Sequence, residues 1–222
     1  MRNYSDTIFA LSTHRAKAAL AVFRMSGKNS YRVIKKISKI KQIEYKKPLI
    51  CYIYDDKVKI DQVIITLFKK PQSYTGQEMA EISCHGSISI INKITETLLK
   101  NKVRIAEPGE FTKRSLMNNK LSLIQAETIN ELINAETENQ RKIAISNLTG
   151  GLEVFIKDTI KKINKLLADV EAIIDFSDED LPEEVFQNVK EQKKNIINLV
   201  NQSIEKSQLS KKIYSGYKVT VI

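Results

Sequence analysis

The sequence predicts an α+β domain followed by an all-helical segment. Before about position 105 the apolar residues come in short β-rich runs, whereas after position 121 they recur at helical spacing. The charge changes at the same place, because residues 1–120 carry 23 Lys and Arg against 10 Asp and Glu, and residues 121–222 carry 13 against 16. We therefore expect one domain over residues 1–120 and the first part of a helical domain over residues 121–217.

The first domain is expected to contain five strands and two helices. Short runs rich in β-branched and aromatic residues predict the strands, and residues 55–57 predict a hairpin turn between the third and the fourth strand. Apolar residues at helical spacing predict helices near residues 29–38 and 87–101. The predicted strands cover residues 7–11, 20–25, 49–54, 63–68 and 79–83.

The second half is predicted to be a helical bundle or part of one. Seven apolar residues recur at spacings of 4, 4, 3, 4, 3 and 4 and predict one long helix with its stripe in a core. The Gly-Gly pair at 150–151 separates this helix from an earlier one over about 129–148, and Pro182 marks the first turn of a third. The stripe consists of Leu152, Ile156, Ile160, Ile163, Leu167, Val170 and Ile174.

Composition excludes several classes of protein. No uncharged apolar run of about 18 residues is present and the N-terminus lacks an apolar signal core, so we expect a cytoplasmic protein with no membrane partner. Two cysteines and two histidines are too few for a disulfide scaffold or a structural zinc site. The acidic run at 175–184 is compatible with a metal site, but Pro182 within it favours capping of the following helix.

The segment from Ser73 to Gly86 is the first candidate for site chemistry. Two interpretations of Glu81 within this segment are open. In the structural one it is a surface carboxylate on an edge strand or a partner for a nearby Arg, and in the functional one it is a half-buried acceptor facing a ligand with paired N–H donors. Cys84 and His85 are neighbours on a strand and diverge, which argues against a nucleophilic dyad.

A second cluster spans residues 106–121. A Pro-Gly turn followed by a short helix leaves Lys120 at the junction between the domains, where binding sites often lie. The alternative is a linker with ordinary surface lysines. The positive charge of the first half is compatible with nucleic acid or an anionic ligand, or with a merely solvated surface.

Seven short motifs occur in a fixed order along the chain. The most specific of them are Pro-Gly-Glu-Phe-Thr at 108–112 and Asn-x-Lys-Leu-x-Leu-x-Gln-Ala-Glu at 118–127. The others are Asp-Thr-Ile-Phe-Ala at 6–10, Phe-Arg-Met-Ser-Gly at 23–27, Ser-Tyr-Thr-Gly at 73–76, Cys-His-Gly at 84–86 and Asp-Phe-Ser-Asp-Glu at 175–179. Taken together and in this order, the motifs resemble those of the MnmE (TrmE) family of tRNA modification GTPases.

The resemblance implies a folate-binding α+β domain that forms a homodimer, and a helical domain into which a Ras-like GTPase domain is inserted. It implies that residues 218–222 are the first strand of a truncated GTPase domain, whose Gly-x-x-x-x-Gly-Lys-Ser loop would follow. GTP, magnesium and potassium are then expected only in that absent domain. This chain alone is expected to hold no catalytic residue and to lack GTPase activity.

The family acts with the flavoprotein MnmG to add a carboxymethylaminomethyl-type group to carbon 5 of the wobble uridine of certain tRNAs. The resemblance implies a tetrahydrofolate one-carbon unit as the carbon source, and it implies that this region binds 5-formyltetrahydrofolate or 5,10-methylenetetrahydrofolate. Carried over by motif, the folate contacts fall on Arg24, Glu81 and Lys120. In this assignment Glu81 accepts the paired N–H donors of the pterin, and the two cations meet the folate tail or its carbonyl oxygens.

The loop at residues 12–19 departs from the family pattern, since it contains neither Gly nor Pro. Close backbone approach to a ligand is harder without glycine, and His14, Arg15 and Lys17 are candidates to supply side-chain contacts instead. The alternative function is therefore a dimerisation and tRNA-docking scaffold that does not bind folate.

Overall fold

The chain forms two compact units in a computed structural model, residues 1–126 and 127–222. The structure describes residues 6–40, 44–176 and 182–215, with side chains described through residue 207. The predicted strand at 218–222 and residues 177–181 of the acidic run lie outside the described residues.

A six-stranded sheet forms the centre of the first unit, with strand order β3-β4-β5-β2-β1-β6. All neighbouring strands are antiparallel except β1 and β6. The β3–β4 turn lies where the sequence predicts it, and the expected α+β class is confirmed. The strands are β1 (Ile8–Leu11), β2 (Ala18–Ser26), β3 (Leu49–Asp55), β4 (Val58–Phe68), β5 (Met79–Gly86) and β6 (Arg104–Ile105).

Two amphipathic helices, α1 (Ser30–Ser38) and α2 (Ile88–Lys100), supply apolar side chains to one core with the sheet. Each turns its apolar stripe inward, through Ile34 on α1 and Ile94 and Leu98 on α2, all fully buried. The strands contribute every second residue, as the period of two requires. A third helix, α3 (Glu110–Met117), follows β6.

The opposite face of the sheet, called here the outer face, is much less covered. Apolar side chains on it remain open to solvent: Leu20 is 63% exposed, Ile50 67% and Ile64 43%. The ladder registers place Val22 and Ser83 in the same row as Ile64 and Ile50, and Arg24, Glu81 and Thr66 in the adjacent row. The outer face therefore combines an apolar row with a charged row.

The second unit is helical, as predicted, but its first predicted helix is wrong. Two helices stand in its place, α4 (Leu123–Ile133) and α5 (Glu138–Leu148). The break occurs because Thr137 begins α5 with a capping box, in which its hydroxyl accepts from the backbone N–H of Gln140 and the Gln140 side chain accepts from the backbone N–H of Thr137. The long helices are α6 (Gly151–Asp175) and α7 (Glu183–Ser215).

The apolar stripe of α6 is not the covered core that its spacing predicts. Ile156 is 39% exposed, Ile163 46% and Leu167 54%. The helix itself is confirmed, and α5 and α7 both contact it, but they leave this side largely open. Within the described ranges no helix is long and apolar enough to cross a membrane, and no group of three or more His, Cys, Asp or Glu is arranged to hold a metal ion.

Candidate functional site

Arg24 and Glu81 face each other across the centre of the sheet. They are register partners on β2 and β5, and Glu81 also pairs with Thr66 on β4. The edge-strand alternative for Glu81 is therefore wrong, because β5 has a neighbour on each side. The Arg-partner alternative is what the structure shows, and it is compatible with a ligand contact.

The Arg24–Glu81 pair uses only one of the two carboxylate oxygens. Arg24 donates from Nε at 2.9 Å and from Nη2 at 2.7 Å, and both bonds go to Oε1 of Glu81. In the described part of the chain no donor reaches Oε2. The side chains are 32% and 27% exposed, so the pair is half-buried and open to solvent on one side. A ligand with N–H donors can therefore bond to Oε2 without displacing Arg24.

Tyr74 joins this pair to α3. Its ring lies beneath the guanidinium of Arg24, with Cζ 5.4 Å from the ring centroid. Its hydroxyl is 2.9 Å from the Thr112 hydroxyl, and its carbonyl accepts a 2.6 Å hydrogen bond from Ser115. Two residues of α3 therefore fix the position of the aromatic ring on which Arg24 rests.

Lys120 lies against the same loop. Gly76 has φ +72°, and a Cβ built on it would lie 2.9 Å from Cβ of Asn118 and 3.1 Å from Cγ of Lys120. The absence of a side chain at Gly76 thus makes room for the stem of Lys120, whose side chain is exposed. Asn118 holds the loop through a 2.7 Å bond from Nδ2 to the carbonyl of Thr75. The loop at residues 73–77 therefore contacts Arg24 through Tyr74 and lies beside Lys120 at Gly76.

An ionic cluster with a buried centre, Glu110 and Arg114, and a partly exposed rim, Asp6 and Arg104, lies on the other side of α3. It is defined by Asp6, Arg104, Glu110 and Arg114. The Arg114 side chain is fully buried and donates from Nη2 to Asp6 at 2.6 Å and to Glu110 at 2.8 Å. Arg104 donates to both oxygens of Glu110, at 3.0 and 2.8 Å, and also bonds Asp6. This cluster ties α3 to β6 and to the segment before β1.

Glu110 is held ionised by this cluster. Burial acts to raise its pKa, but hydrogen bonds from Arg104, from the backbone N–H of Glu107 and from Arg114 outweigh burial and lower the pKa to about 2. The pKa of Asp6 is likewise lowered, since bonds from Arg104 and Arg114 overcome the opposing effect of burial.

Gln77 connects the buried cluster to the loop. Its Oε1 accepts from Arg114 at 3.1 Å and from the hydroxyl of Ser26 at 3.0 Å. Ser26 is fully buried at the end of β2 and also contacts the Thr75 hydroxyl at 2.7 Å. The Ser73 hydroxyl donates to the carbonyl of Gln77 within the loop. These bonds fix the conformation of the loop at residues 73–77, and with it the positions of Tyr74 and Gly76.

The sequence analysis did not single out Tyr74 as a support for Arg24, or Arg114 as a member of an ionic cluster. The i,i+4 spacing of Glu110 and Arg114 is a local signal of an ion pair on α3. No local signal indicates that Asp6, 108 residues away from Arg114, joins them. The position of Tyr74 beneath Arg24 likewise depends on tertiary structure.

Cys84 and His85 diverge as predicted. Cys84 is buried and its thiol donates to the carbonyl of Ala21 at 3.4 Å, and burial, with the nearby charge of Asp61, raises the pKa of the thiol to about 11. His85 is exposed and bonds Asp61 through Nδ1 at 2.8 Å. The two side chains do not form a nucleophilic dyad.

The glycine-poor loop does not contact the Arg24–Glu81 pair through Arg15. Arg15 donates to Asn92 of α2 at 2.7 Å, and both residues line a 580 Å³ cavity with Phe9 and Phe23. His14 and Lys17 are exposed. Their role in ligand binding stays a prediction.

The comparisons with known proteins follow the two halves of the chain. The model of the GTP-binding protein TrmE N-terminus matches residues 7–120, and the model of the MnmE helical domain matches residues 123–218. The chain belongs to the MnmE family. The matched ranges meet close to the expected domain boundary at residue 120, while the compact units divide after residue 126.

Several curated relatives named tRNA modification GTPase MnmE match almost the whole chain. The relative from Rickettsia rickettsii (strain Sheila Smith) is 39% identical over 222 residues, covering 98% of this chain and 49% of the relative. Those from Pelagibacter ubique and Aquifex aeolicus are 37% and 36% identical over 219 residues, covering 97% and 98% of this chain and 49% of each relative. The chain therefore spans about half the length of the curated MnmE relatives it matches.

Proposed function

We propose that the first unit binds a reduced folate, 5-formyltetrahydrofolate or 5,10-methylenetetrahydrofolate, at Arg24, Glu81 and Lys120. The observation that carries the proposal is the half-buried Glu81 carboxylate, which keeps Oε2 open while Oε1 is held by Arg24. A pterin edge presents adjacent N–H donors, and a fixed carboxylate accepts such donors in charge-assisted hydrogen bonds.

The three residues have different roles in this site. Glu81 orients the pterin, and Arg24 holds the carboxylate in place through its two hydrogen bonds to Oε1. The stem of Lys120 lies beside Gly76 of the loop at 73–77. In the proposed site its ammonium meets a carboxylate of the folate tail or a carbonyl oxygen. The folate supplies the one-carbon chemistry when bound, so the protein needs only to bind and orient it.

Calorimetric titration of the full chain with 5-formyltetrahydrofolate tests the proposal. Glu81→Gln removes the charge of the acceptor while keeping its size, and charge-assisted bonds of this kind contribute about 1.5–3 kcal/mol. We expect the dissociation constant to rise about 10- to 100-fold. Glu96→Gln, which removes one exposed carboxylate from α2, is the matched control and should bind as the parent does. Unchanged affinity in Glu81→Gln would refute the assignment.

We propose that the whole protein is a tRNA modification GTPase, as the names of its relatives state. The resemblance to the family further suggests that it works in the cytoplasm with the flavoprotein MnmG on the wobble uridine of tRNA. GTP, magnesium and potassium belong to the GTPase domain of the longer protein. The open stripe of α6, including Ile163 and Leu167, is then available to the remainder of the helical domain.

Dimerisation through the first unit is part of the same proposal. The row of Ile50, Ile64 and Val22 on the outer face gives an apolar surface suited to a second copy. Ile50→Lys/Ile64→Lys should convert a dimer into a monomer in sedimentation velocity at tens of micromolar. A parent chain that sediments only as a monomer at this concentration would contradict the proposal.

The second candidate is a dimerisation and tRNA-docking scaffold without folate binding. The glycine-poor loop at residues 12–19 and the charge of the first half, 23 basic against 10 acidic residues, favour it. It predicts tRNA binding that weakens strongly with salt, together with no heat on addition of folate. The folate titration described above distinguishes the two candidates.

A further inference from the structure

Helix α1 carries a row of exposed basic side chains with no acid among them. We define the α1 basic row as Lys28, Arg32, Lys35, Lys36 and Lys39. All five side chains are exposed, and residues 27–40 contain no Asp or Glu. Within the helix, Lys35 and Lys36 lie three and four residues after Arg32 and so share one side of it, opposite the buried apolar stripe, while Lys28 precedes the helix and Lys39 is its C-cap.

The α1 basic row is not neutralised within the described residues. None of its members forms an ion pair there, although Lys36 lines a 300 Å³ cavity with Asp55 and Asp56. Asp55 is already bonded by Lys93 at 2.7 Å and by Lys100 at 2.8 Å. Some cations on other helices are paired, as in Arg141 with Glu138, Lys157 with Glu153 and Lys162 with Asp158.

Helix stability accounts for only part of this placement, because Lys35 and Lys36 in the last turn and Lys39 at the C-cap complement the negative end of the helix macrodipole, whereas Lys28 and Arg32 do not. The helix macrodipole is positive at its N-terminus, so Lys28, just before α1, and Arg32, in its first turn, oppose it. No acid is present in the first turn to compensate. Because no nearby acid offsets these cations, the surface of the row has a positive electrostatic potential, which would attract a polyanion.

Aromatic side chains flank the row at both ends. Nζ of Lys39 lies 4.0 Å from the ring centroid of Tyr54. Near the start of α1, the rings of Tyr31 and Tyr45 are 6.3 Å apart, and Nζ of Lys69 lies 5.9 Å from the Tyr45 ring. These rings hold the ammonium group of Lys39, a member of the row, and that of Lys69, a further one, in place without neutralising them.

We propose that the α1 basic row binds the phosphate backbone of tRNA. The inference rests on the proposed function for the choice of tRNA as the polyanion. A line of cations without ion-pair partners can contact several phosphates at once, and each contact releases a counterion from the nucleic acid. The row lies on a different element from Arg24, Glu81 and Lys120, so its loss should leave folate binding unchanged.

The test is tRNA binding by the full chain, measured by fluorescence anisotropy with a labelled transcript of a tRNA that has uridine at the wobble position. Lys28→Gln/Arg32→Gln/Lys35→Gln removes three charges from the row. Lys157→Gln/Lys161→Gln/Lys162→Gln removes three charges from α6 and matches it in net charge. We expect the α1 variant to bind at least about tenfold more weakly, with a log–log salt slope smaller by about 2, and the α6 variant to bind as the parent does.

Three results would overturn the inference. They are equal weakening in both variants, which would indicate attraction by net charge alone, unchanged binding in the α1 variant, and no tRNA binding by the parent. The same proteins are titrated with 5-formyltetrahydrofolate. A parent chain that does not bind folate would refute the proposed folate site. An α1 variant that binds both folate and tRNA as the parent does would refute only the role of α1.

Discussion

Two clusters of Arg and carboxylate side chains lie in the first unit, and they differ in how completely their bonding groups are used. In the cluster of Asp6, Arg104, Glu110 and Arg114, both oxygens of Glu110 are bonded and its side chain is only 5% exposed. In the pair of Arg24 and Glu81, one oxygen carries both bonds and the side chains are about a third exposed.

The difference separates a structural role from a binding role. The buried centre of the first cluster has its groups satisfied and offers nothing to a ligand, and removing Arg114 from it leaves two carboxylates to share the single cation Arg104. A half-open pair contributes little to folding, because solvent screens it, but it presents an oriented acceptor. The loop at residues 73–77 joins the two, since Gln77 contacts Arg114 and Tyr74 contacts Arg24.

The largest expected effect is on stability. Arg114→Met leaves Glu110 and Asp6 without their buried partner and should cost about 3–5 kcal/mol in the free energy of unfolding. Arg24→Met is the matched variant, and it should cost no more than about 1 kcal/mol. Urea unfolding of the full chain measures both. Equal losses in the two variants would remove the distinction between the clusters.

Acid should weaken the buried cluster specifically. The pKa of Glu110 in the folded chain is about 2, below its ordinary value of 4.5, so its contribution to stability is present above about pH 4.5 and is lost as the pH falls toward 2. The expected loss is up to about 3 kcal/mol. Thermal melts of the parent and of Glu110→Gln between pH 6 and 2.5 test this, and the variant should show a flatter profile. Parallel profiles would contradict the assignment.

Gly76 offers a smaller perturbation on the ligand side of the loop. Gly76→Ala requires a side chain at φ +72°, which costs about 1–2 kcal/mol, and its Cβ would also displace the Lys120 stem. Gly109→Ala is the control, because Gly109 has the same φ and nothing within 4 Å of its Cβ position. Both variants should lose stability, but only Gly76→Ala should lose folate affinity. Equal folate affinity in the two would show that the position of Lys120 is immaterial.

The smallest effect is expected at Lys120 itself. Its side chain is exposed, so Lys120→Met should weaken folate binding by about fivefold or less, and added salt should diminish the difference from the parent. Lys57→Met in the β3–β4 turn is the control and should be neutral. Calorimetry at two salt concentrations measures the effect, and a loss as large as that of Glu81→Gln would reverse the proposed order of importance.

Local patterns predicted most of the fold but little of the connection between distant residues. The runs around Phe23 and Ile82 and the turn at 55–57 are local signals, and their elements formed as expected. β6 was missed, because two residues pairing in parallel with β1 carry no pattern of their own. The capping box at Thr137 and Gln140 is visible in the sequence and could have predicted the break between α4 and α5.

In the candidate site, too, some features follow from local sequence and others depend on residues far apart in the chain. Arg24, Glu81 and Lys120 come from motifs that resemble the family, and the register of β2 and β5 then brings the first two together. The sequence cannot indicate which carboxylate oxygen stays open, nor that Arg114 reaches Asp6 across 108 positions. These features depend on how the sheet, the loop at 73–77 and α3 pack together.

The most direct test of the account is a crystal structure of the chain with 5-formyltetrahydrofolate. The account predicts that the paired N–H donors of the pterin lie within about 3 Å of the Glu81 carboxylate, with Oε2 engaged and Arg24 still bonded to Oε1. A folate bound elsewhere, or bound with no contact to Glu81, would contradict the claim that the half-open pair is the ligand site.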